Sequence, residues 1–238
     1  MTIPLHITTL LFDLDGTLTH QLPSSLDILF TILDERDIPL MSSAHRSTMQ
    51  FLYQYWANSP ELKQDIEMFG DFTDEFLIQY LKRKLWAAGL SQLQAAELAP
   101  IIKPELDEKH QPVKFVADDV RPTLKHLHAK GYKMGLVSNR SESLEEEINN
   151  LGFLPFFDFH FTAGEIDSWK PAPGIFEHAL YLAESSAEST AYIGDNYYTD
   201  VIGARSVGIY PILMDQRNTF PDADCQVITR IGDLLTQI

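Results

Sequence analysis

From about residue 113 onward, the chain alternates short apolar runs with amphipathic stretches, and this alternation restricts the fold more than any other feature. Short apolar runs predict buried strands, and apolar residues at helical spacing predict helices. Repeated strand–helix units favour right-handed crossovers and a parallel sheet with helices on both faces. We therefore predict an α/β fold with a doubly wound parallel sheet. The expected strands are Ile7–Phe12, Lys133–Val137, Phe157–Phe161, Thr190–Ile193 and Tyr210–Met214, and the expected helices are Pro122–Lys130, Glu142–Leu151, Pro173–Ala183 and Val201–Val207.

The block between Pro23 and Pro112 differs from the rest, because its apolar residues recur at helical spacing without strand-like alternation. Roughly four to six helices fit there. We predict an all-helical domain at 21–112, inserted into a core domain formed by 1–20 and 113–238. Helix breaks are expected at Pro39, Pro60, Gly70, Gly89 and Pro104.

Charge and cysteine content limit the partners of the chain. There are 18 Lys and Arg residues against 34 Asp and Glu, a formal net charge of −16. Such a surface repels polyanions, so nucleic acid and anionic membranes are poor partners. The apolar start, Met1 to Leu11, has no preceding Lys or Arg, and Cys225 is the one cysteine. We expect a cytoplasmic protein of a reducing compartment, with monomer and dimer both open.

Polar residues interrupt the pattern at the points where predicted strands end. In open parallel sheets, ligands bind at the carboxyl ends of the strands. Three clusters that are distant in sequence should therefore lie on one edge of one sheet. They are Asp13 with Asp15, Ser138 with Asn139, and Asp195 with Asn196.

Four carboxylates, those of Asp13, Asp15, Asp195 and Asp200, would crowd negative charge at that edge. Hard oxygen ligands gathered in this way suit Mg²⁺. The alternative is that these acids cap helices and form turns, a reading strongest for Asp200 because it precedes a predicted helix. For Asp13 and Asp15 together, directly after a buried strand, the metal reading is favoured.

Lys170 could neutralise a phosphate group that so acidic a chain would otherwise repel. The prolines at 171 and 173 fix the backbone before the next helix. A lone lysine is usually a solvated surface charge, but this one falls at the same sheet edge. Ser138 and Asn139 could donate hydrogen bonds to phosphate oxygens.

Taken in order, these segments resemble the motifs of the haloacid dehalogenase-like (HAD) superfamily, in its phosphoglycolate phosphatase-like branch. The matching residues are D-L-D-G-T (Asp13 to Thr17), the strand end at Ser138, Lys170 with its K-P, and G-D-N-Y-Y-T-D (Gly194 to Asp200). The inserted helical block resembles the C1-type cap of that superfamily. The resemblance implies a Rossmann-like core and a Mg²⁺-dependent phosphatase acting on a small phosphorylated metabolite.

The resemblance also implies roles for the reacting residues. Asp13 would attack phosphorus and form an aspartyl-phosphate. Asp15 would protonate the leaving alcohol and later deprotonate the attacking water. Lys170 would neutralise the phosphate and the nucleophile together.

The metal and the phosphoryl oxygens would be held by further residues of the same motifs. Mg²⁺ would bind the carboxylates of Asp13 and Asp195 and the backbone carbonyl of Asp15. Asp200 would be a direct ligand, a water-mediated ligand or the partner that orients Lys170. The residues expected to hydrogen-bond the phosphoryl oxygens are Thr17, Ser138 and Asn139.

Rival functions remain at the level of sequence. A phosphomutase would use the same chemistry and is the first alternative, and a non-catalytic binding protein is a weaker one. A haloalkanoate dehalogenase has no use for an acid at Asp15, because halide leaves without a proton. A phosphonate-cleaving enzyme would need a Schiff-base lysine in the cap, and no cap lysine has a distinguishing context. His20 stands where many helical-cap relatives have an acid, and we read it as a polar turn residue.

Overall fold

The structure is a computed structural model that describes residues 3–237; residues 1, 2 and 238, at the ends of the predicted core domain, lie outside the described range. The chain divides into two compact units, one formed by 1–20 with 115–238 and the other by 21–114. The second boundary lies two residues after the one expected from sequence.

A six-stranded parallel sheet forms the centre of the first unit, with its strands in the order β5 (Phe159–Thr162), β4 (Lys133–Ser138), β1 (Thr9–Phe12), β6 (Thr190–Gly194), β7 (Tyr210–Met214) and β8 (Gln226–Ile228). Because β1 lies between β4 and β6, the chain winds outward from it in both directions, which confirms the predicted doubly wound α/β fold. The helices are α6 (Val120–Ala129), α7 (Glu145–Asn150), α8 (Ala163–Ile166), α9 (Pro173–Ala183) and α10 (Ile202–Ser206).

Strand β1 is buried on both faces because helices cover both sides of the sheet. Leu10 and Phe12 pack on one side in a core that includes Leu124 of α6. Leu11 points the other way and packs in a second core with Phe176 of α9. The period of two along the strand thus divides its apolar side chains between two hydrophobic layers.

Some predicted elements of the core differ from those observed. The helix expected over Val201–Val207 begins as a π-helical turn, Tyr197–Val201, and continues as the short α10. The helix expected over Glu142–Leu151 is shortened to α7. Strand β8 was missed because it has only three residues and begins with Gln226, so its apolar content is low.

The second unit is helical, with α1 (Ser25–Asp34), α2 (Ala44–Trp56), α3 (Pro60–Phe69), α4 (Asp74–Ala87) and α5 (Gln92–Lys109). Its largest core joins Leu29 of α1, Leu85 of α4 and Ile102 of α5. The break predicted at Pro104 is wrong, because α5 runs through Pro104. This proline ring is exposed, and the buried stripe of the helix continues past it to Leu106.

Two short strands, β2 (His20–Leu22) and β3 (Val113–Phe115), form a separate two-stranded sheet. His20, read as a turn residue, is therefore the first residue of a strand. Within the described range, none of the helices is both long and apolar enough to cross a membrane.

Candidate active site

The predicted site residues of the first unit lie where parallel strands end. Asp13 directly follows β1, Ser138 is the last residue of β4, and Asp195 directly follows β6. Pairing of β1 with both neighbours brings these three strand ends side by side. The predicted edge of the sheet is therefore the edge at which these polar side chains occur.

Lys170 is the centre of the site. Its ammonium Nζ donates to Asp13 Oδ1 at 2.8 Å and to Asp200 Oδ1 at 2.7 Å, and to the hydroxyl of Tyr192 at 2.9 Å. Lys170 is only 3% exposed, so these bonds form away from bulk water. In such surroundings a charge is stable only when it is paired and hydrogen-bonded, as this one is.

Asn139 fixes the backbone that carries Lys170. Its side-chain oxygen accepts from the backbone N–H of Lys170 at 2.7 Å, and its amide nitrogen donates to the carbonyl of the same residue at 2.9 Å. Both polar atoms of this side chain are therefore engaged with Lys170. The sequence assigned Asn139 to the phosphoryl oxygens, and the contact present in the structure orients the lysine instead.

Burial and charge oppose each other in this cluster. Burial alone would lower the pKa of Lys170, but the carboxylates of Asp13 and Asp200 outweigh it and hold that pKa well above its ordinary value. Burial also raises the pKa of Asp13. The Lys170 ammonium lowers this pKa, the negative charges of Asp200 and Asp15 raise it, and the net result is a pKa above the ordinary value. One ammonium is thus not sufficient to keep Asp13 at its ordinary acidity.

A divalent cation fits the carboxylates of this site. Asp13, Asp195 and Asp200 each offer an oxygen within 4.8 Å of the others. Three carboxylates and one ammonium leave net negative charge, which a hard cation with oxygen ligands would neutralise. Gly16 is part of this arrangement, because it has φ +85° and a Cβ there would lie 2.2 Å from Asp195 Oδ2. The donor set therefore fits Mg²⁺.

Asp200 has three possible roles in the sequence analysis, and the structure contains a contact that belongs to one of them. Its Oδ1 accepts from Lys170, and its Oδ2 accepts from the backbone N–H of Asn196 at 3.0 Å. It lies inside the π-helical turn, so it is not the helix cap of the alternative reading. The hydrogen bond from Lys170 to Asp200 supports the role in which Asp200 orients Lys170.

Thr17 and Ser138 are buried beside the nucleophile position. Thr17 Oγ1 donates to Asp13 Oδ2 at 3.4 Å, a long contact that keeps the hydroxyl next to the carboxylate. Ser138 is 2% exposed at the end of β4.

Asp15 is bound by a residue that the sequence reasoning missed. Arg140 donates from Nε to Asp15 Oδ2 and from Nη2 to Asp15 Oδ1, both at 2.6 Å. Arg140 directly follows Ser138 and Asn139, so extending that polar run by one residue would have found it. Tyr192 was missed as well, because its position inside a buried strand made it look like a core residue.

Sequence comparison assigns the chain, with its parallel sheet and its acidic cluster around Lys170, to a known protein family. The model of the haloacid dehalogenase-like hydrolase family matches residues 7–208, and the chain belongs to that family. This is the superfamily that the sequence motifs indicated.

Relatives within the family carry different names. Haloacid dehalogenase-like hydrolase domain-containing protein 3 of Bos taurus is 32% identical over 147 residues, 61% of this chain and 57% of that protein. Glyceraldehyde 3-phosphate phosphatase of Methanothermobacter thermautotrophicus is 33% identical over 103 residues, 43% of this chain and 46% of that protein. Pyrophosphatase PpaX of Bacillus mycoides is 24% identical over 204 residues, 85% of this chain and 80% of that protein. In the first two alignments the chain spans only about half of the relative's length.

Solved structures share the fold. A HAD phosphatase from Thermococcus onnurineus superimposes with a TM-score of 0.57 at 23% identity, with 97% of both chains covered. A dehalogenase structure superimposes with a TM-score of 0.59 at 16% identity, with 99% of both chains covered. Because phosphatases and dehalogenases share this architecture, the fold does not choose between them.

Proposed function

We propose that the chain is a Mg²⁺-dependent phosphatase that hydrolyses a small organic phosphate monoester through an aspartyl-phosphate on Asp13. The observation that carries the proposal is the buried Lys170 ammonium, which joins the carboxylates of Asp13 and Asp200. An ammonium at this position can neutralise an incoming phosphoryl group while it holds the nucleophile. Phosphoryl transfer depends mainly on such positioning and charge neutralisation.

In the first half of the reaction, a carboxylate oxygen of Asp13 bonds to phosphorus as the bond from phosphorus to the ester oxygen breaks. Asp15 gives its proton to the departing oxygen, which leaves as an alcohol. In the second half, Asp15 takes a proton from water, whose oxygen bonds to phosphorus and releases phosphate from Asp13. The starting states of both aspartates are thereby restored.

The other residues bind and orient. We propose that Thr17 and Ser138 contribute hydrogen bonds around the phosphoryl oxygens, while Asn139 orients the backbone of Lys170. Mg²⁺ would be held by the carboxylates of Asp13 and Asp195 and the carbonyl of Asp15, with Asp200 beside them, and when bound it would supply charge neutralisation at the phosphoryl oxygens.

Asp15 supports a phosphatase over a dehalogenase. An alkoxide leaving group needs a proton, whereas halide does not, so an acid two residues after the nucleophile serves ester cleavage. The names of two relatives, a glyceraldehyde 3-phosphate phosphatase and a pyrophosphatase, agree with phosphate chemistry. We further propose that residues 21–114 are a helical cap domain of the type found in this superfamily.

The proposed function is tested by phosphate release from p-nitrophenyl phosphate and a panel of metabolite phosphates, with Mg²⁺ and with EDTA. We expect release that requires Mg²⁺ and that falls by about 10³-fold or more in Asp13→Asn, because the amide is a poor nucleophile and a weaker metal ligand. Asp222→Asn is the matched control, since Asp222 is exposed and lies outside the cluster. Near-wild-type turnover in a folded Asp13→Asn would refute the assignment.

A further inference from the structure

Arg140 joins two carboxylates of the first unit. Its Nε and Nη2 each donate to a different oxygen of Asp15 at 2.6 Å, and its Nη1 donates to Glu147 Oε2 of α7. Arg140 follows β4, so this arrangement ties the loop after β1 to the loop after β4 and to a helix.

The geometry of the guanidinium makes this contact specific. Two parallel N–H groups that meet both oxygens of a carboxylate fix its rotation as well as its position. The side chain of Asp15 is 41% exposed, and it also accepts a 3.4 Å contact from the hydroxyl of Thr19. The Thr19 contact is long and involves a single oxygen, so Arg140 is the stronger constraint of the two.

We propose that Arg140 is a positioning residue for Asp15, and that Glu147 holds Arg140 in the orientation this requires. The inference rests on the proposed function, because it assigns Arg140 a role in proton transfer by Asp15. A general acid must lie within hydrogen-bonding reach of the departing oxygen, and a small displacement removes much of its effect. Arg140 supplies that placement through its hydrogen bonds to Asp15, and when one carboxyl oxygen carries the proton to be transferred, the guanidinium can still donate to the other.

The competing explanation is an ordinary surface ion pair. Exposed Arg–carboxylate pairs are common and contribute little. The first unit contains one, Arg205 with Asp224, in which two guanidinium nitrogens contact the carboxylate at 3.1 and 2.9 Å. Arg205→Gln is therefore a matched control that removes a comparable pair away from Asp15.

The test compares two esters of similar shape that differ in their need for an acid. Phenyl phosphate leaves as a phenol with a pKa of about 10, like tyrosine, and p-nitrophenyl phosphate leaves as a much more acidic phenol. The rate constant of leaving-group release is measured in a single turnover with enzyme in excess, so that later hydrolysis of the phosphoenzyme does not interfere. The variants are Arg140→Gln, Arg140→Lys, Glu147→Gln, Asp15→Asn and the double variant of Arg140→Gln with Asp15→Asn.

If Arg140 acts through Asp15, Arg140→Gln should slow release from phenyl phosphate by about 10- to 100-fold and release from p-nitrophenyl phosphate by less than about threefold. Asp15→Asn should show the same pattern, and adding Arg140→Gln to it should cause no further loss, because the two residues act as one unit. Arg140→Lys should recover only part of the rate, since an ammonium cannot hold both oxygens. Glu147→Gln should give a smaller loss of the same kind, and Arg205→Gln should match wild type on both esters.

Equal slowing on the two esters, additive losses in the Asp15→Asn background or an unchanged Arg140→Gln would each overturn the positioning role. Should Arg140→Gln fail to fold, Glu147→Gln and Arg140→Lys decide the question by the same ratio of the two esters. Failure of the proposed function looks different, since wild type would then release neither phenol.

Discussion

Lys170 in the first unit and Lys84 in the second are both almost completely buried, but they have different interaction partners. Lys170 is 3% exposed and Lys84 is 6% exposed. Lys170 contacts two carboxylates and a tyrosine hydroxyl. Lys84 donates to Ser25 Oγ at 3.3 Å and lies 4.4 Å from the ring centroid of Tyr80. No Asp or Glu among residues 3–237 forms an ion pair with it.

Their pKa values move in opposite directions. Burial lowers the pKa of Lys84 from 10.5 to about 8, with a smaller contribution from the positive charge of Lys103. For Lys170 the two carboxylates overcome the same burial and raise the pKa well above its ordinary value. Burial therefore does not decide whether a lysine stays charged, and the partners do. Lys84 therefore begins to lose its proton just above neutral pH, whereas Lys170 keeps its positive charge well beyond that range.

The largest effect is expected from removal of the Lys170 charge. Lys170→Met should lower kcat/KM for p-nitrophenyl phosphate by about 10³-fold or more, because it removes the cation that would face both nucleophile and phosphate. Lys84→Met removes an equally buried lysine outside the acidic cluster and should keep most of its turnover. Both variants are compared by steady-state kinetics in Mg²⁺, after thermal unfolding has shown that each is folded. Similar losses in the two variants would remove the distinction between these lysines.

An intermediate effect, on stability, is expected from Lys84→Met. Lys84 keeps its proton up to about pH 8 in the folded protein and up to about pH 10.5 in the unfolded chain. Below about pH 8 the folded protein must therefore bury a charged lysine, which lowers the free energy of unfolding by the full amount. Each pH unit between these values corresponds to ~1.4 kcal/mol, which makes the cost at pH 7 about 3 kcal/mol. Methionine has similar length and no charge, so Lys84→Met should raise the free energy of unfolding by up to about that amount.

The pH dependence separates this effect from improved packing. The difference in unfolding free energy between Lys84→Met and wild type should shrink as pH rises from about 8 to 10.5. In this range Lys84 is already neutral in the folded protein, whereas it is still losing its proton in the unfolded chain. Urea unfolding of both proteins at several pH values measures this difference. A constant difference across that range would show that Lys84 carries no charge penalty.

The fold and the central site could be predicted from sequence because both follow from where strands end. Parallel strands bring their carboxyl ends to one edge, so the residues after β1, β4 and β6 had to become neighbours. The same reasoning placed Lys170 near Asp13, since the lysine follows β5 and precedes a helix that begins at Pro173.

Other contacts depend on packing that a sequence pattern does not specify. Lys84 and Lys170 are the same residue type, and only the helices and strands around them decide which one meets carboxylates. Tyr192 looks like any buried strand residue until its hydroxyl is seen to reach Lys170. The hydrogen bonds from Arg140 to Asp15 depend on the direction in which a side chain leaves a loop, which alternation along a strand does not fix.

The smallest effect is expected from Tyr192→Phe, which removes the tyrosine hydroxyl and leaves the two carboxylates as the partners of Lys170. Tyr192 accepts from Lys170 at 2.9 Å and donates to the carbonyl of Val137 at 3.0 Å. Phenylalanine keeps the ring and removes both hydrogen bonds, which should cost about 1–3 kcal/mol of unfolding free energy in a buried site. Turnover should fall by less than about tenfold, since Lys170 keeps its bonds to Asp13 and Asp200 and therefore its charge. Urea unfolding and kcat/KM on the same protein sample measure the two quantities together. A loss of turnover as large as that of Lys170→Met would instead mean that the hydroxyl, and not the pair of carboxylates, holds the lysine in its working position.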